Sequence, residues 1–264
     1  MSCSVLPSVP EARPSWLWRA YQHLAMVLGL GALALICLAW LPFALVLHPL
    51  LPQQLGKRLG RVAIRKGFRA YTSFLETCCS CRFDLDVLQE VGRVGPVVLV
   101  ANHPSLLDAV LIISRVPNVA CIMKGALMDN LLFGAAARLA RYIRNTEPAA
   151  MILGARQELE EGAVLLIFPE GSRTSDFPLD PCHPTAGLIA ARAKVPVQTL
   201  FFDFSTPYLG KAWPLFRPPV LPLVVRLHPG PLLPPPSGPV EDFTRELEAC
   251  LRAGLCLAQE PSHA

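Results

Sequence analysis

The feature that most constrains this chain is an uncharged apolar run near its N-terminus, residues 25–47. As a helix, such a run would extend about 35 Å, against a hydrocarbon core of about 30 Å. Aromatic side chains that favour a membrane interface precede it, at Trp16, Trp18 and Tyr21. Pro42 leaves two forms open, a single membrane helix or a helical hairpin that enters and returns. A cleaved signal peptide is disfavoured, because the run is too long and no cleavage site follows it.

Charges on either side of the run predict its orientation. The charged residues before it are Glu11, Arg13 and Arg19. The basic residues after it are Lys57, Arg58, Arg61, Arg65, Lys66 and Arg69. This asymmetry predicts that the remainder of the chain lies in the cytoplasm. The four arginines in this group recur every three or four positions, which predicts a basic stripe on a helix over residues 51–80. Such a stripe is typical of a helix on anionic headgroups and also of an ordinary solvated face.

Composition supports membrane association and excludes some partners. Of 264 residues, 52% are hydrophobic and only 17% are charged, and mean hydropathy is +0.41. A net charge of +4 is too mild to indicate a nucleic-acid partner. The nine cysteines are odd in number and irregularly spaced, which argues against a disulfide framework and for a reducing compartment. Cys78 and Cys81 form a C-x-x-C without a second pair, so we expect them to be packing residues.

Beyond residue 80, strands and helices alternate. Short apolar runs predict strands at residues 83–87, 97–101, 119–123, 164–168, 197–202 and 222–227. Helices are predicted near residues 106–114, 130–141, 149–161, 185–194 and 240–257. The pattern predicts a single three-layer α/β domain with a largely parallel sheet. We therefore divide the chain into a tail and anchor (1–50), a basic amphipathic helix (51–80) and an α/β domain (81–264). The proline-rich residues 231–239 predict a stiff extended turn.

Two polar motifs follow predicted strands. The first motif, residues 102–108, reads N-H-P-S-L-L-D, and the second motif, residues 168–174, reads F-P-E-G-S-R-T. Ligands bind beyond the carboxyl ends of strands in open α/β sheets, so the two motifs are expected to converge. His103 can take a proton from a hydroxyl, and Asp108 can orient its ring. In the second motif, Arg173 suits a phosphate and Glu170 could hold Arg173 or contact a substrate hydroxyl.

Together the motifs resemble those of the glycerophospholipid acyltransferase family, which includes the 1-acylglycerol-3-phosphate acyltransferases. Asn102, His103 and Asp108 match its N-H-x4-D motif, and residues 168–174 match F-P-E-G-x-R-[ST] without a break. The resemblance covers roughly residues 80–205. It implies that His103 is a general base oriented by Asp108, and that the acceptor's polar head is bound by the second motif and Asn102. The binding residues implied in the second motif are Glu170, Gly171, Ser172, Arg173 and Thr174.

The resemblance also implies the partners of the reaction. The acyl donor would be acyl-CoA or acyl-carrier protein, and the acceptor a lysophospholipid, chiefly 1-acylglycerol-3-phosphate. Because a thioester is already activated, no metal and no cofactor is expected. We find no cysteine in a nucleophile motif, so direct attack by the acceptor hydroxyl is expected. The location implied is a bacterial inner membrane, with the catalytic domain on the cytoplasmic side and in contact with membrane lipids.

Departures from the family pattern leave the acceptor open. Lys124, Gly134 and Arg144 are the equivalents of a second family motif, with Arg141 where glycine is common. A later V-P-[VI]-x-P motif loses its second proline at Thr199, and His183 stands where a lysine is frequent. Residues 205–211 resemble a segment of bacterial acyltransferases linked to aryl-polyene or specialised lipids, or else form a proline-rich surface loop.

Three alternatives to a lysophospholipid acyltransferase can be compared with the sequence. The acceptor could be an amino-lipid or a polyene-lipid head. A hydrolase is disfavoured because the chain has no G-x-S-x-G. A non-catalytic membrane scaffold would have no need of four intact motif residues, His103, Asp108, Glu170 and Arg173.

Overall fold

The apolar run forms one helix in the computed structural model, which describes residues 15–91 and 95–258. Helix α1, Trp16–Leu50, is 35 residues long and continues through Pro42. The alternative of a hairpin within the run is therefore wrong. The Ser15 hydroxyl caps the helix by accepting a hydrogen bond from the Trp18 N–H at 3.3 Å. Glu11 and Arg13, used to predict orientation, lie outside the described residues.

Helix α2, Gln53–Cys78, folds back antiparallel to α1 and corresponds to the helix predicted over residues 51–80. The Tyr21 hydroxyl near the start of α1 donates to the Cys78 carbonyl at the end of α2, at 3.0 Å. Glycines permit the close approach, since a Cβ added at Gly29 would lie 3.2 Å from Leu75. The two helices therefore pack as a pair along the α/β domain.

Strands and helices alternate through the α/β domain, as predicted. The strands are β1 (Cys81–Asp84), β2 (Val98–Ala101), β3 (Val119–Met123), β4 (Ile143–Arg144), β5 (Val164–Ile167), β6 (Val197–Phe204) and β7 (Leu223–Leu233). The remaining helices are α3 (Leu88–Val91), α4 (Leu107–Arg115), α5 (Gly125–Asp129), α6 (Leu131–Leu139), α7 (Pro148–Glu160), α8 (Thr185–Ala193) and α9 (Val240–Ala258).

The sheet has the strand order β1-β7-β6-β2-β5-β3-β4. Strands β6, β2, β5, β3 and β4 are parallel to one another, whereas β7 is antiparallel to β6 and parallel to β1. The prediction of a largely parallel sheet is confirmed. We call the side where the five parallel strands end the carboxyl edge, and the side where they begin the amino edge.

Most strands differ from their predicted bounds by one to three residues at an end, and β7 and β4 depart furthest from the prediction. Strand β7 extends through Leu233, into the segment predicted as a stiff turn, and Leu233 pairs with Val197 of β6. Pairing with β6 satisfies backbone groups that a proline-rich segment could not satisfy by itself. Strand β4 was not predicted, because two residues leave no periodic signal.

Helices cover the sheet on both faces, which confirms three layers. One core joins α2 and α4 to the sheet through residues such as Leu75 and Leu111. The other core joins α7, α8 and α9 to the opposite face through residues such as Leu159, Ile189 and Leu251. Residues of β2 alternate between the two cores, as expected of a strand buried on both faces.

Most described cysteines are free thiols. Seven are free, and Cys256 is disulfide-bonded. Cys78 is exposed and Cys81 is buried, and burial raises the pKa of Cys81 to about 12. A thiol with that pKa stays protonated at neutral pH, so Cys81 fits the expected packing role, whereas the exposed Cys78 does not.

The basic stripe of α2 turns partly inward. Arg61 is only 4% exposed and Lys57 only 6%. Arg61 donates to Glu158 at 2.7 Å and to the Asn118 side chain at 2.8 Å, and Lys57 contacts Glu158 at 3.2 Å. For Arg61, both a headgroup contact and a solvated face are therefore wrong. Spacing along the helix identified the stripe. The carboxylate that binds Arg61 belongs to Glu158, which lies 97 positions away in the sequence.

Arg141 occupies the left-handed region, with φ of 56°, in the turn between α6 and β4. A side chain there costs about 1–2 kcal/mol, which explains why glycine is common at this position of the family motif. We expect Arg141→Gly to stabilise the fold by about 1 kcal/mol, the relief being partly offset by glycine's greater freedom in the unfolded chain. Chemical denaturation measures the difference. Arg141→Ala is the control, because it keeps a Cβ, and equal stabilisation by alanine would contradict the backbone explanation.

Candidate active site

The two sequence motifs meet at the carboxyl edge. The first motif follows β2 and the second follows β5, and these strands are paired neighbours in parallel register. Their sequence separation is bridged by hydrogen bonds between His103 and the second motif. The predicted convergence is therefore present.

His103 and Asp108 form a direct pair. Nδ1 of His103 lies 3.0 Å from Oδ2 of Asp108, which also accepts a hydrogen bond from the Ser105 N–H at 3.0 Å. Asp108 sits in the first turn of α4 and is fully buried, whereas the His103 side chain is 16% exposed. Because a carboxylate only accepts, Nδ1 carries the proton and Nε2 retains its lone pair. An imidazole held in this way can accept a proton from a hydroxyl.

The second motif holds the backbone of His103. The His103 N–H donates to Oε1 of Glu170 at 2.7 Å, and the His103 carbonyl accepts from the Thr174 N–H at 2.8 Å. The imidazole stacks on Phe168, with ring centroids 4.0 Å apart and planes 13° from parallel. Both main-chain groups and the ring of His103 are therefore positioned by the second motif.

Glu170 contacts the main chain of the first motif, a role that was not predicted. It is 5% exposed, and its second oxygen accepts a hydrogen bond from the Asp180 N–H at 2.9 Å. Burial raises the pKa of the Glu170 carboxyl, and the N–H donors of Asp180 and His103 oppose that rise. The carboxylate makes no described contact with Arg173, so the prediction that Glu170 holds Arg173 is wrong. It positions the main chain of His103 instead.

Arg173 anchors residues 205–211, which we call the covering segment. Its Nη1 donates to the carbonyls of Leu209 and Gly210, both at 2.9 Å. From the first motif, the Ser105 hydroxyl donates to the Tyr208 carbonyl at 2.6 Å. Leu209 is buried and has a φ of 57°. The interpretation of this stretch as a plain surface loop is therefore wrong for its buried residues, and Arg173 ties it to the site.

The other predicted binding residues differ in their contacts and in their exposure. The Asn102 side chain accepts from the Phe202 N–H at 2.7 Å and donates to the Phe202 carbonyl at 3.1 Å. This exchange joins β2 to β6, so we assign Asn102 a positioning role. Thr174 is 1% exposed, whereas Gly171 and part of Ser172 reach the surface. Gly171 has a φ of 67°, which favours glycine.

Lys124 and Arg144 share the carboxyl edge with His103. Met123 of β3 pairs with Arg144 of β4, which places Lys124 beside that pair. Both cations are exposed, and Arg144 forms an ion pair with Asp129. Lys124 follows β3 and Arg144 ends β4, two and three strands away from β2, and neither makes a described contact with either motif.

Lys211 is a basic residue whose place sequence reasoning did not define. Its Nζ lies 3.5 Å from the Ser172 hydroxyl and hydrogen-bonds to Ser175. The feature of the sequence that could have identified Lys211 was the covering segment, residues 205–211, which ends at this lysine. An exposed cation thus lies beside the exposed part of the second motif.

Residues 83–203 match the family model described as Acyltransferase. This stretch contains the end of β1, strands β2 to β5, most of β6 and both motifs. This match to a family model, over slightly less than half of the chain, agrees with the resemblance drawn from the motifs.

One protein is similar to this chain in sequence and another in fold. The Caenorhabditis elegans protein named "Putative 1-acyl-sn-glycerol-3-phosphate acyltransferase acl-2" is 28% identical over 135 residues, 47% of this chain and 46% of that protein. The matched segment thus spans about half of that relative. The crystal structure of PlsC from Thermotoga maritima, a 1-acyl-sn-glycerophosphate (LPA) acyltransferase, has the same fold, with a TM-score of 0.67 and 19% identity, covering 93% of this chain and 99% of that one.

Proposed function

We propose that the protein is an enzyme that transfers a fatty acyl group from acyl-CoA or acyl-carrier protein to the hydroxyl of a lysophospholipid. The first acceptor to consider is 1-acylglycerol-3-phosphate, which would give phosphatidic acid. The observation that carries this proposal is the 3.0 Å contact between His103 and the buried Asp108 at the edge where the two motifs meet. Both relatives carry the name of this activity, which supports the choice of acceptor.

In the proposed reaction, Nε2 of His103 takes the proton of the acceptor hydroxyl as its oxygen attacks the thioester carbonyl. The C–O bond forms, the C–S bond breaks, and the imidazolium returns the proton to the departing thiolate. The negative charge of Asp108 stabilises the transient imidazolium. The backbone hydrogen bonds of His103 to Glu170 and Thr174 keep the ring in place during both proton transfers.

For the acceptor's phosphate, we propose the exposed part of the second motif together with Lys211. Only Nη1 of Arg173 is engaged by the covering segment, so the rest of its guanidinium can still donate. Lys211 supplies a second positive charge next to Ser172. Lys124 and Arg144 stay as candidates for a more distant part of the substrate.

For the acyl chain, we propose an apolar cleft between the α1–α2 pair and the site, which is nearly closed, with a volume of about 10 Å³, and would have to open to admit the chain. It is lined by Gly29 of α1, by Tyr71 and Leu75 of α2, and by Leu107 and Tyr208 from the site. Leu107 directly precedes Asp108, so the cleft begins beside the catalytic pair. An extended chain entering it would lie along helices that already present apolar surface.

The outer face of α1 is proposed to sit in the hydrocarbon of a membrane. Its exposed large side chains include Leu24, Val27, Leu35, Leu38 and Phe43. Because α1 packs against α2 and α6 along its length, we propose that it lies in one leaflet instead of crossing the bilayer. The basic residues that follow α1 favour the cytoplasmic leaflet.

The test is acyl transfer by the purified full chain in detergent. Labelled acyl-CoA and acyl-carrier protein are offered separately with 1-acylglycerol-3-phosphate and with other lysolipids, including amino-lipids. Transfer to 1-acylglycerol-3-phosphate supports the proposal in full. Transfer only to another acceptor keeps the chemistry and changes the substrate. No transfer by a folded protein would overturn the enzyme proposal in favour of a membrane scaffold.

Arg173→Ala is expected to lower kcat/KM by about a hundredfold, because hydrogen bonds from a charged donor are worth about 1.5–3 kcal/mol each. Without Arg173, the covering segment loses its two anchoring contacts at Leu209 and Gly210. Steady-state kinetics measures the change, with the exposed Arg192→Ala as a matched control. Arg173→Lys should recover part of the activity, and wild-type kinetics for Arg173→Ala would contradict the anchoring role.

A further inference from the structure

A cavity of about 670 Å³ opens at the amino edge of the sheet, away from His103. Its charged lining consists of Lys57, Arg58, Arg61 and Arg65 of α2, with Glu158 and Glu161 at the end of α7. Asn118, directly before β3, completes the wall beneath Arg61. The residues of this cavity belong to neither sequence motif.

The cavity and the His103 pair lie at opposite edges of the sheet. Asn118 and Glu161 come just before β3 and β5, whereas Glu170 comes just after β5. A five-residue strand such as β3 is about 15 Å long. A ligand in this cavity is therefore separate from the substrates proposed at the carboxyl edge.

Only some of the cationic side chains that line the cavity have a carboxylate partner. Lys57 is paired with both Glu158 and Glu161, and Arg61 is paired with Glu158. Within residues 15–91 and 95–258, Arg58 and Arg65 have no carboxylate or hydrogen-bond partner. The four cations and two carboxylates of the lining thus leave two uncompensated positive charges facing the same space.

We infer that this cavity binds the phosphate group of an anionic ligand. The two free guanidiniums offer planar donors that match phosphate oxygens, and the buried Lys57 and Arg61 are already held in place by Glu158. The cavity is larger than a phosphate, so it also has room for an attached glycerol. A lipid headgroup and a soluble phosphate share this chemistry.

An anionic phospholipid is the favoured source. Val62 lines the cavity and is 42% exposed, and on the same helix Leu55 and Leu59 are 53% and 37% exposed. These apolar side chains would meet the acyl region of a lipid whose headgroup occupies the cavity. The ligand would then hold α2 against an anionic membrane at a point distant from the chemistry.

The test uses the purified full chain and the double variant Arg58→Gln/Arg65→Gln. Binding of inorganic phosphate is measured by calorimetry in neutral detergent. Binding to vesicles of phosphatidylcholine alone is compared with binding to vesicles that also contain phosphatidylglycerol. Lys66→Gln/Arg69→Gln is the matched control, because it removes the same charge from the same helix outside the cavity.

We expect the cavity variant to lose about tenfold in affinity for phosphatidylglycerol vesicles and for phosphate, with the control within about twofold of wild type. A loss confined to phosphate would support the site and assign it to a soluble ligand. Equal losses of affinity in both variants would overturn the inference. It would also be overturned if the wild-type protein bound no inorganic phosphate and did not prefer vesicles with phosphatidylglycerol to vesicles of phosphatidylcholine alone. These measurements record binding alone, so they stand apart from the outcome of the acyl-transfer assay.

Discussion

His103→Ala is expected to lower kcat for acyl transfer by about 10³-fold, because general-base catalysis contributes about 10²–10⁴-fold. The variant should fold normally. Glu170 and Thr174 bind the main chain of residue 103, and alanine retains both of those hydrogen bonds. Single-turnover measurement of labelled acyl transfer separates the loss in chemistry from substrate binding.

A matched control is His23→Ala, which removes an exposed histidine of α1 that has no described contact with the site. Asp108→Asn should also reduce kcat, because an amide can donate to Nδ1 and thus favour the wrong tautomer of His103. If His103→Ala retained more than about a tenth of wild-type kcat, proton transfer by this residue would be excluded as a major contribution.

Glu158→Ala is expected to cost about 3–5 kcal/mol of unfolding free energy, the usual consequence of breaking a buried ion pair by removing one partner. The substitution would leave Arg61 and Lys57 buried with their shared carboxylate gone. Glu158 lies on α7, and its ion pairs connect this helix to α2 on the opposite face of the sheet. Equilibrium denaturation in urea gives the change directly.

Glu160→Ala is the comparison, because Glu160 lies on the same helix and pairs with Arg156 on the surface. Its loss should cost less than about 1 kcal/mol. Equal effects of the two substitutions would mean that the buried cluster contributes no more than a surface pair. Neither substitution touches the carboxyl edge, so the specific activity of the folded fraction should stay near that of wild type.

Much of the fold could be predicted because its signals are local. Continuous apolar runs predicted the central strands, and β3 begins and ends at its predicted residues. The pair of His103 and Asp108 was also predictable, since five residues of loop and helix start bring the two side chains together. The family resemblance then implied the acyl donor and the acceptor on which that pair would act.

Contacts between distant residues could not be predicted in the same way. Spacing identified the stripe on α2, but it held no information about Glu158, so Arg61 was placed on the wrong surface. Similarly, composition left residues 205–211 between two interpretations until Arg173 and Ser105 were seen to bind their carbonyls. A periodic pattern defines one face of an element and leaves open what covers that face.

The hydrogen bond from His103 to Glu170 joins residues 67 positions apart, and Arg173 then reaches a carbonyl 36 positions further along. During synthesis, the chain emerges with its N-terminal residues first, and the apolar helix α1 precedes His103, Glu170 and Arg173. The His103 ring can therefore find its Asp108 partner early, but its main chain stays unsupported until the second motif and the covering segment leave the ribosome. Under the proposed function, a nascent chain whose α1 already lies in the membrane would thus be inert toward thioesters until most of its length had been translated.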